Sequence, residues 1–311
     1  MEVKFWGTRG SIPAPGPETT IYGGETICVE VRAEGNLIIL DAGSGIRKLG
    51  LRLMADAATI GKLEGHILLS HTHWDHIQGF PFFVPAFVKG NRFIVYGANR
   101  ATNSLEAVLA GQMEHSYFPV NLDGMGADVK FVELHEGQLR IGGTLITAKV
   151  LNHPGGVFGY RIESGGKTLV YATDNEPYRE LLTIGEIRLD SPPPAGMKQG
   201  DASIDERITN YVRDLDDRIV QLSAGADLLI HDAQYTRQEY KSRIGWGHSS
   251  VDDVVEIALK ARVKRLMLFH HDPAHSDEMI ASMEAYATEM VRNRGENMLV
   301  SAARAGEELT L

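Results

Sequence analysis

The sequence predicts an α/β layered fold, and three observations carry that prediction. Short apolar runs of strand type alternate with amphipathic helical patterns along the chain. A length of 311 residues with 43% hydrophobic content allows a substantial core. No repeat period is visible that would favour a solenoid or propeller. Taken in order, strand patterns fall at 2–6, 26–32 and 36–40, before a helical pattern at about 45–56. Strands follow at 66–70 and 92–96, then a helix at 101–113. Strand signals then crowd together at 128–133, 138–151, 157–163 and 167–172. A helix at 204–223, a strand at 227–231, a helix at 249–261, a strand at 265–269, a helix at 276–293 and a strand at 297–300 complete the chain. Ser276 caps the last helix and Asp277 and Glu278 supply its acidic first turn, which reads His275 as exposed. The stretch from Asp190 to Gly200, with Pro192, Pro193 and Pro194, reads as a loop, part of an insertion at about 184–223 in an otherwise single domain spanning 1–311.

The most concentrated chemistry lies at His71-Thr72-His73-Trp74-Asp75-His76, directly after the apolar run His66-Ile67-Leu68-Leu69. Imidazole and carboxylate are the donors that zinc and other first-row divalent ions take. Alternation sets His71 and His73 on one side of an extended segment. Asp75 and His76 come after the chain turns and suit a second ion. The bland alternative is a polar loop that Trp74 anchors to the core, but scattered surface histidines do not usually fall at this spacing. Two ions need further ligands, and three residues stand where an apolar strand stops. His153 ends Leu145–Leu151 and enters Pro154-Gly155-Gly156, Asp174 follows Thr168–Ala172, and His270 closes Leu266–Phe269.

These residues, together with the opening Phe5-Trp6-Gly7-Thr8-Arg9-Gly10-Ser11-Ile12-Pro13, the segment Leu40-Asp41-Ala42-Gly43-Ser44-Gly45 and the late Gly247-His248-Ser249-Ser250, resemble the metallo-beta-lactamase fold hydrolases. Within them the resemblance is to the phosphodiesterase branch that includes the tRNA 3'-end processing ribonucleases. It implies an αββα four-layer sandwich, two mixed β-sheets flanked by helices. It implies two divalent metal ions, zinc first and manganese or iron as alternatives. His71, His73 and His153 would bind one, Asp75, His76 and His270 the other, and Asp174 would bridge them. Asp41 resembles a carboxylate that holds the ligand loop without touching metal. His271, beside His270, reads instead as part of a turn with Asp272 and Pro273.

Two nearby dications lower the pKa of a shared water toward neutrality and clamp phosphate oxygens, which suits diester cleavage. The departing alkoxide still needs a proton. His248 is the candidate acid, placed ahead of a serine-capped helix N-terminus that favours an anionic phosphate. Asp232 fills the carboxylate position that orients it, where the ribonucleases usually carry Glu. Asp75 joins His248 and Asp232 in the catalytic group as well as serving as a ligand. His66, His115, His135 and His231 lack ligand spacing.

Charge narrows the substrate. With 31 basic and 41 acidic residues, a net charge of -10 gives no global attraction to a polyanion, so long nucleic acid is a poor fit and a small-molecule phosphodiester a better one. The tRNA-processing relatives carry a gripping arm between the positions of His153 and Asp174, whereas only residues 154–173 lie there, enough for a hairpin. The expected activity is hydrolysis of a small diester such as a cyclic nucleotide. Alternatives are tRNA 3'-processing, attack on a lactam, lactone or thioester carbonyl, and a non-enzymatic metal-binding sensor. No apolar run approaches membrane-spanning length and the start lacks a signal-peptide layout, which points to a cytoplasmic protein with no membrane partner. Similar proteins often form homodimers, though no interface stripe identifies one here. Cys28, the single cysteine, reads as a buried structural thiol.

Overall fold

The structure is a computed structural model describing residues 1–55, 63–98, 103–181 and 202–311, with backbone alone for 202–208. Its strands form two seven-stranded mixed sheets. The first contains β1 (Glu2–Gly7), β2 (Cys28–Ala33), β3 (Asn36–Leu40), β4 (Glu64–Leu68), β5 (Arg92–Ala98) and β6 (Asp128–Leu134). The second contains β7 (Gly137–Ile141), β8 (Thr144–Leu151), β9 (Val157–Ser164), β10 (Lys167–Ala172), β11 (Leu228–Asp232), β12 (Arg265–Phe269) and β13 (Leu299–Ala302). The last strand, β14 (Glu308–Thr310), returns to the first sheet, giving the orders β14-β1-β2-β3-β4-β5-β6 and β13-β12-β11-β10-β9-β8-β7. In each sheet the strands on one side of the middle pair antiparallel and those on the other pair parallel.

The helices are α1 (Gly45–Ala55), α2 (Trp74–Ile77), α3 (Leu105–Gly111), α4 (Tyr178–Leu181), α5 (Ala202–Ser223), α6 (Arg237–Tyr240), α7 (Val251–Lys260) and α8 (Asp277–Asn293). Three apolar clusters show how the layers stack. Phe5, Val29, Val31, Ile38 and Leu40 of the first sheet meet Ile146, Tyr160, Ile162, Leu169, Ile230 and Phe269 of the second, and this is the seam between the sheets. Ile46 and Leu49 of α1 and Leu105 and Leu109 of α3 cover the outer face of the first sheet. Ile219, Val254, Ala258, Ile280 and Ala287 of α5, α7 and α8 cover the second. The result is an αββα sandwich. Because strands such as β3 are buried on both faces, they read as continuous apolar runs rather than alternating ones.

Most expected elements lie within a few residues of their observed bounds, and the departures have local causes. The single strand expected at 138–151 is two, β7 and β8, folded into a hairpin at Gly142-Gly143, where Gly142 takes a φ of 58° that suits a tight two-residue turn. Helix α3 starts at Leu105 rather than 101, because the Ser104 hydroxyl caps it by accepting the Ala107 N–H at 3.1 Å. Strand β4 runs 64–68, two residues earlier than the apolar run suggests, and β14 was not anticipated. Of the insertion at 184–223, α5 occupies 202–223, while the loop at Asp190–Gly200 lies outside the described residues. Among the described residues no helix is long and apolar enough to cross a membrane.

Candidate metal centre

Strand ends build the centre. His71 follows β4, and the chain stays extended to His73 before α2 carries Asp75 and His76. His153 follows β8, Asp174 follows β10, Asp232 is the last residue of β11, and His270 follows β12. Asp41, Asp174 and His270 hold positive φ angles of 60°, 51° and 60°. For a side chain other than glycine this left-handed turn costs on the order of 1–3 kcal/mol and gathers at functional sites, where the surrounding structure must hold it.

Two groups of donor atoms converge, each within 4.8 Å of one another. One is His71, His73, His153 and Asp174, the other Asp75, His76, Asp174 and His270, and Asp174 belongs to both. Its Oδ2 lies 3.7 Å from His71 Nε2 and 3.8 Å from His153 Nε2, while its Oδ1 lies 3.3 Å from His76 Nε2 and 3.1 Å from His270 Nε2. A third group joins Asp174, Asp232, His248 and His270.

Outward hydrogen bonds decide which ring nitrogen faces in. His76 Nδ1–H donates to Asp41 Oδ2 at 2.9 Å, His270 Nδ1–H to Gln234 Oε1 at 2.8 Å, and His153 Nδ1–H to the Gly247 carbonyl at 2.9 Å. His71 Nδ1–H reaches Ser70 Oγ at 3.2 Å. Each bond fixes the tautomer that leaves the Nε2 lone pair aimed inward. Two of these atoms, Nε2 of His71 and of His76, are buried with no hydrogen-bond partner. A buried polar atom left unmatched costs roughly 1–3 kcal/mol. Imidazole nitrogens that converge beside two carboxylates, with the orphaned Nε2 atoms of His71 and His76 among them, fit divalent ions of the first row.

Electrostatics divides the centre in two. Burial pushes His71 well below the ordinary histidine value and His153 down to about 4, so both are neutral, as ligands must be. Burial also acts to lower His270, but Asp174 and Asp75 outweigh it and hold the ring up at about 10. His76 is likewise raised against its burial by Asp75, Asp174 and Asp41. Both carboxylates, despite burial, are held well below their usual range by these histidines. The carboxylate half therefore demands positive charge, which protons or a dication can supply.

His248 lies beside the ligand cluster, its ring 4.8 Å from His270 and 5.4 Å from His153, with Nδ1 2.8 Å from Asp232 Oδ2. Serine caps the helix that follows: Ser250 Oγ accepts the Asp253 N–H of α7. A cleft of about 490 Å³ opens over the centre, lined by Ser11, Thr72, His73, Trp74, Asp75, Asp174 and His248.

Residues 36–188 match the family described as the beta-lactamase superfamily domain, a span that holds His71, His73, Asp75, His76, His153 and Asp174. Among curated relatives, ribonuclease Z of Staphylococcus epidermidis is 22% identical over 91% of this chain and 92% of its own. Among solved structures, the metallo-beta-lactamase fold protein YhfI of Bacillus subtilis superposes with a TM-score of 0.64 at 18% identity, covering 99% of each chain. A diphosphatase of the PhnP family superposes at 0.61 with 20% identity, over 100% of this chain and 97% of that one. The chain is a metallo-beta-lactamase fold hydrolase. That fold implies divalent metal ions, and the donor atoms converging here fit them.

In this hydrolase Asp41 is buried among four donors. Its Oδ1 accepts the Ser70 N–H at 2.7 Å, and its Oδ2 accepts the Tyr171 hydroxyl at 2.6 Å, the Ser70 hydroxyl at 2.8 Å and His76 Nδ1–H. The opening segment reaches the centre too. Ser11 N–H donates to Asp75 Oδ2 at 2.7 Å, and a Cβ on Gly10 would fall 2.2 Å from the His270 ring. Buried Arg9 ties this segment to the loop after His270, donating to the carbonyls of Gly23, Asp272 and His275. One expectation needs correction. His275 is buried, not exposed, because its Nε2 lies 2.9 Å from Glu239, a residue supplied by α6. Trp74 is 81% exposed in the wall of the cleft, which counts against the alternative in which it anchors a polar loop. His271 is kept out of the centre, with Nε2–H donating to the Ala303 carbonyl at 3.0 Å. Sequence reading missed Gln234, Tyr171 and Glu176. Gln234 and Glu176, two residues beyond Asp232 and Asp174, carried a weak local signal, whereas Tyr171, inside its strand, carried none.

Proposed function

We propose that this hydrolase cleaves a small phosphodiester such as a cyclic nucleotide, using two zinc ions, with manganese or iron as alternatives. His71, His73 and His153 would hold one ion and Asp75, His76 and His270 the other, and Asp174, whose carboxylate belongs to both groups, would serve both. The observation that carries the reading is the His248–Asp232 pair, 2.8 Å apart at the edge of the cleft. Bound ions would supply positive charge that acidifies a water and offsets the charge of the phosphate. A phosphodiester that expels an alkoxide needs a proton at the leaving oxygen, and a placed acid supplies it. Asp232 accepts Nδ1–H and so orients the ring, which leaves Nε2 as the atom that gives the proton. As a water oxygen bonds to phosphorus and its proton passes to solvent, the bond from phosphorus to the leaving oxygen breaks, and that oxygen keeps the electron pair and takes the Nε2 proton. His248 is left neutral and Asp232 ionised.

The small size of the substrate is supported by the hairpin between His153 and Asp174. There β9 and β10 pair from Ser164↔Lys167 inward and join at Gly165-Gly166, with no arm projecting. The acidic net charge of -10 argues the same way. Trp74, exposed in the cleft wall, offers a face on which a base can stack, worth roughly 1–3 kcal/mol. A second reading, tRNA 3'-end processing, is favoured by the ribonuclease Z name of the curated relative. Parallel assay of bis(p-nitrophenyl) phosphate, cyclic nucleotides, a lactam, a thioester and precursor tRNA tests both. Turnover of the small diesters is expected. Cleavage of precursor tRNA alone would transfer the reading to the second, and activity confined to carbonyl substrates would overturn both.

A further inference from the structure

Glu176 is a carboxylate to which the chemistry above gives no role, and it is 2% exposed. Its Oε1 accepts the Tyr240 hydroxyl at 2.7 Å and the Gly245 N–H at 2.7 Å, while its Oε2 accepts the Gly247 N–H at 2.7 Å. Both glycines have a φ of 89°, a conformation that other residues resist, and they flank Trp246, which is 61% exposed. The turn Gly245-Trp246-Gly247 is thus closed around one buried charge and immediately precedes His248. A Cβ on Gly247 would fall 2.2 Å from His153 Nδ1, so no other residue fits there without moving that ring.

The same turn faces the ligand cluster. The Gly247 carbonyl accepts His153 Nδ1–H and so sets the tautomer of His153. On its other side Glu176 is tied to the residue before His153, since Glu176 N–H donates to the Asn152 carbonyl at 2.9 Å and the Asn152 amide donates to the Glu176 carbonyl at 2.8 Å. Glu176 also sits two residues beyond Asp174 in the chain, and Ser249 Oγ–H donates to the carbonyl of Asn175 between them. One residue therefore joins three parts of the centre: it follows the strand end that carries Asp174, its main chain holds the loop that carries His153, and its carboxylate holds the turn that carries His248 and whose Gly247 carbonyl meets His153. Each bond of a buried donor to a carboxylate is worth roughly 1.5–3 kcal/mol, more than a neutral acceptor would provide.

We infer that Glu176 is a positioning residue, which sets His153 for metal and His248 for proton donation through the Gly245-Trp246-Gly247 turn. The part concerning His248 rests on the phosphodiesterase reading, while the part concerning His153 does not. Glu176→Gln tests it, because the amide keeps the shape but presents an N–H₂ group to at least one of the two glycine N–H donors. Two measurements are made on the purified full-length protein loaded with zinc. The first is kcat/KM for a diester with an alkoxide leaving group, 3',5'-cyclic AMP, against bis(p-nitrophenyl) phosphate, whose phenolate leaves without help. The second is zinc retained against increasing chelator.

A misplaced acid should lower the alkoxide reaction about 10–100-fold more than the phenolate reaction, and a looser His153 should release one zinc at about 10-fold less chelator. Tyr240→Phe, which removes one of three partners, is the milder variant should the first unfold, and it should move both readouts the same way by about 2–5-fold. Equal loss on both substrates with unchanged zinc retention, in either variant, would overturn the inference by making Glu176 merely structural. Wild-type protein inert to both diesters would sink the phosphodiesterase reading instead, and zinc retention would then decide the His153 part alone.

Discussion

Asp41→Asn is the sharpest perturbation of the centre, because it changes one atom and reaches a candidate ligand only through a proton. The new amide keeps Oδ1 for the Ser70 N–H but places an N–H₂ group where Oδ2 accepted three donors. The hydroxyls of Ser70 and Tyr171 can rotate and accept instead. An imidazole Nδ1–H cannot. His76 must then move its proton to Nε2, which turns an N–H toward Asp75 and Asp174 and removes the lone pair from the centre. Loss of such an outer partner typically lowers metal affinity about 10–100-fold, equivalent to about 1.4–2.8 kcal/mol. The loss of charge from the acceptor adds a stability penalty on the order of 2–4 kcal/mol, below the roughly 5–15 kcal/mol that holds a domain together, so the variant should fold. The assay is metal content by mass spectrometry after equilibration with graded chelator, beside a thermal melt. One ion should leave at about 10–100-fold lower chelator strength than in the wild type. A folded Asp41→Asn protein that keeps both ions as tightly as the wild type would refute the tautomer argument.

Other outcomes follow from the same contacts. His248→Ala should lower diester turnover by about 100–10,000-fold while both ions stay bound, and metal lost along with activity would show that His248 is a ligand rather than the acid. Gly10→Ala drives a methyl into the His270 ring at 2.2 Å, so activity and retention of one ion should both fall; unchanged metal content would mean that the opening segment yields. Burial pushes the Cys28 thiol well above its ordinary value, and the native protein should resist iodoacetamide until denaturant unfolds it. Alkylation of the folded protein at the rate of a free thiol would contradict that burial.

The candidate ligand types, their spacing in residues 71–76 and their position at strand ends could be read without coordinates, because each is a local property of the chain. The layered fold could be read too, since apolar runs and helical periodicity record which faces are buried. The hairpin at Gly142-Gly143 was legible as well, because a Gly-Gly pair between two strand-like runs is a local turn signal, and the single strand expected at 138–151 ran through it. Tertiary structure alone decided what depends on segments far apart in sequence. Asp41 reaches Ser70, Tyr171 and His76, Gln234 reaches His270, Glu239 buries His275, and the Gly247 carbonyl sets His153. Such pairings are fixed by how loops from several strands approach at one edge of the sandwich, and no local pattern encodes that approach. By itself the sequence singled out the candidate metal ligands, by residue type and spacing. The structure decided which nitrogen each of four histidines turns inward, because the tautomer depends on a partner that only folding brings within hydrogen-bond reach.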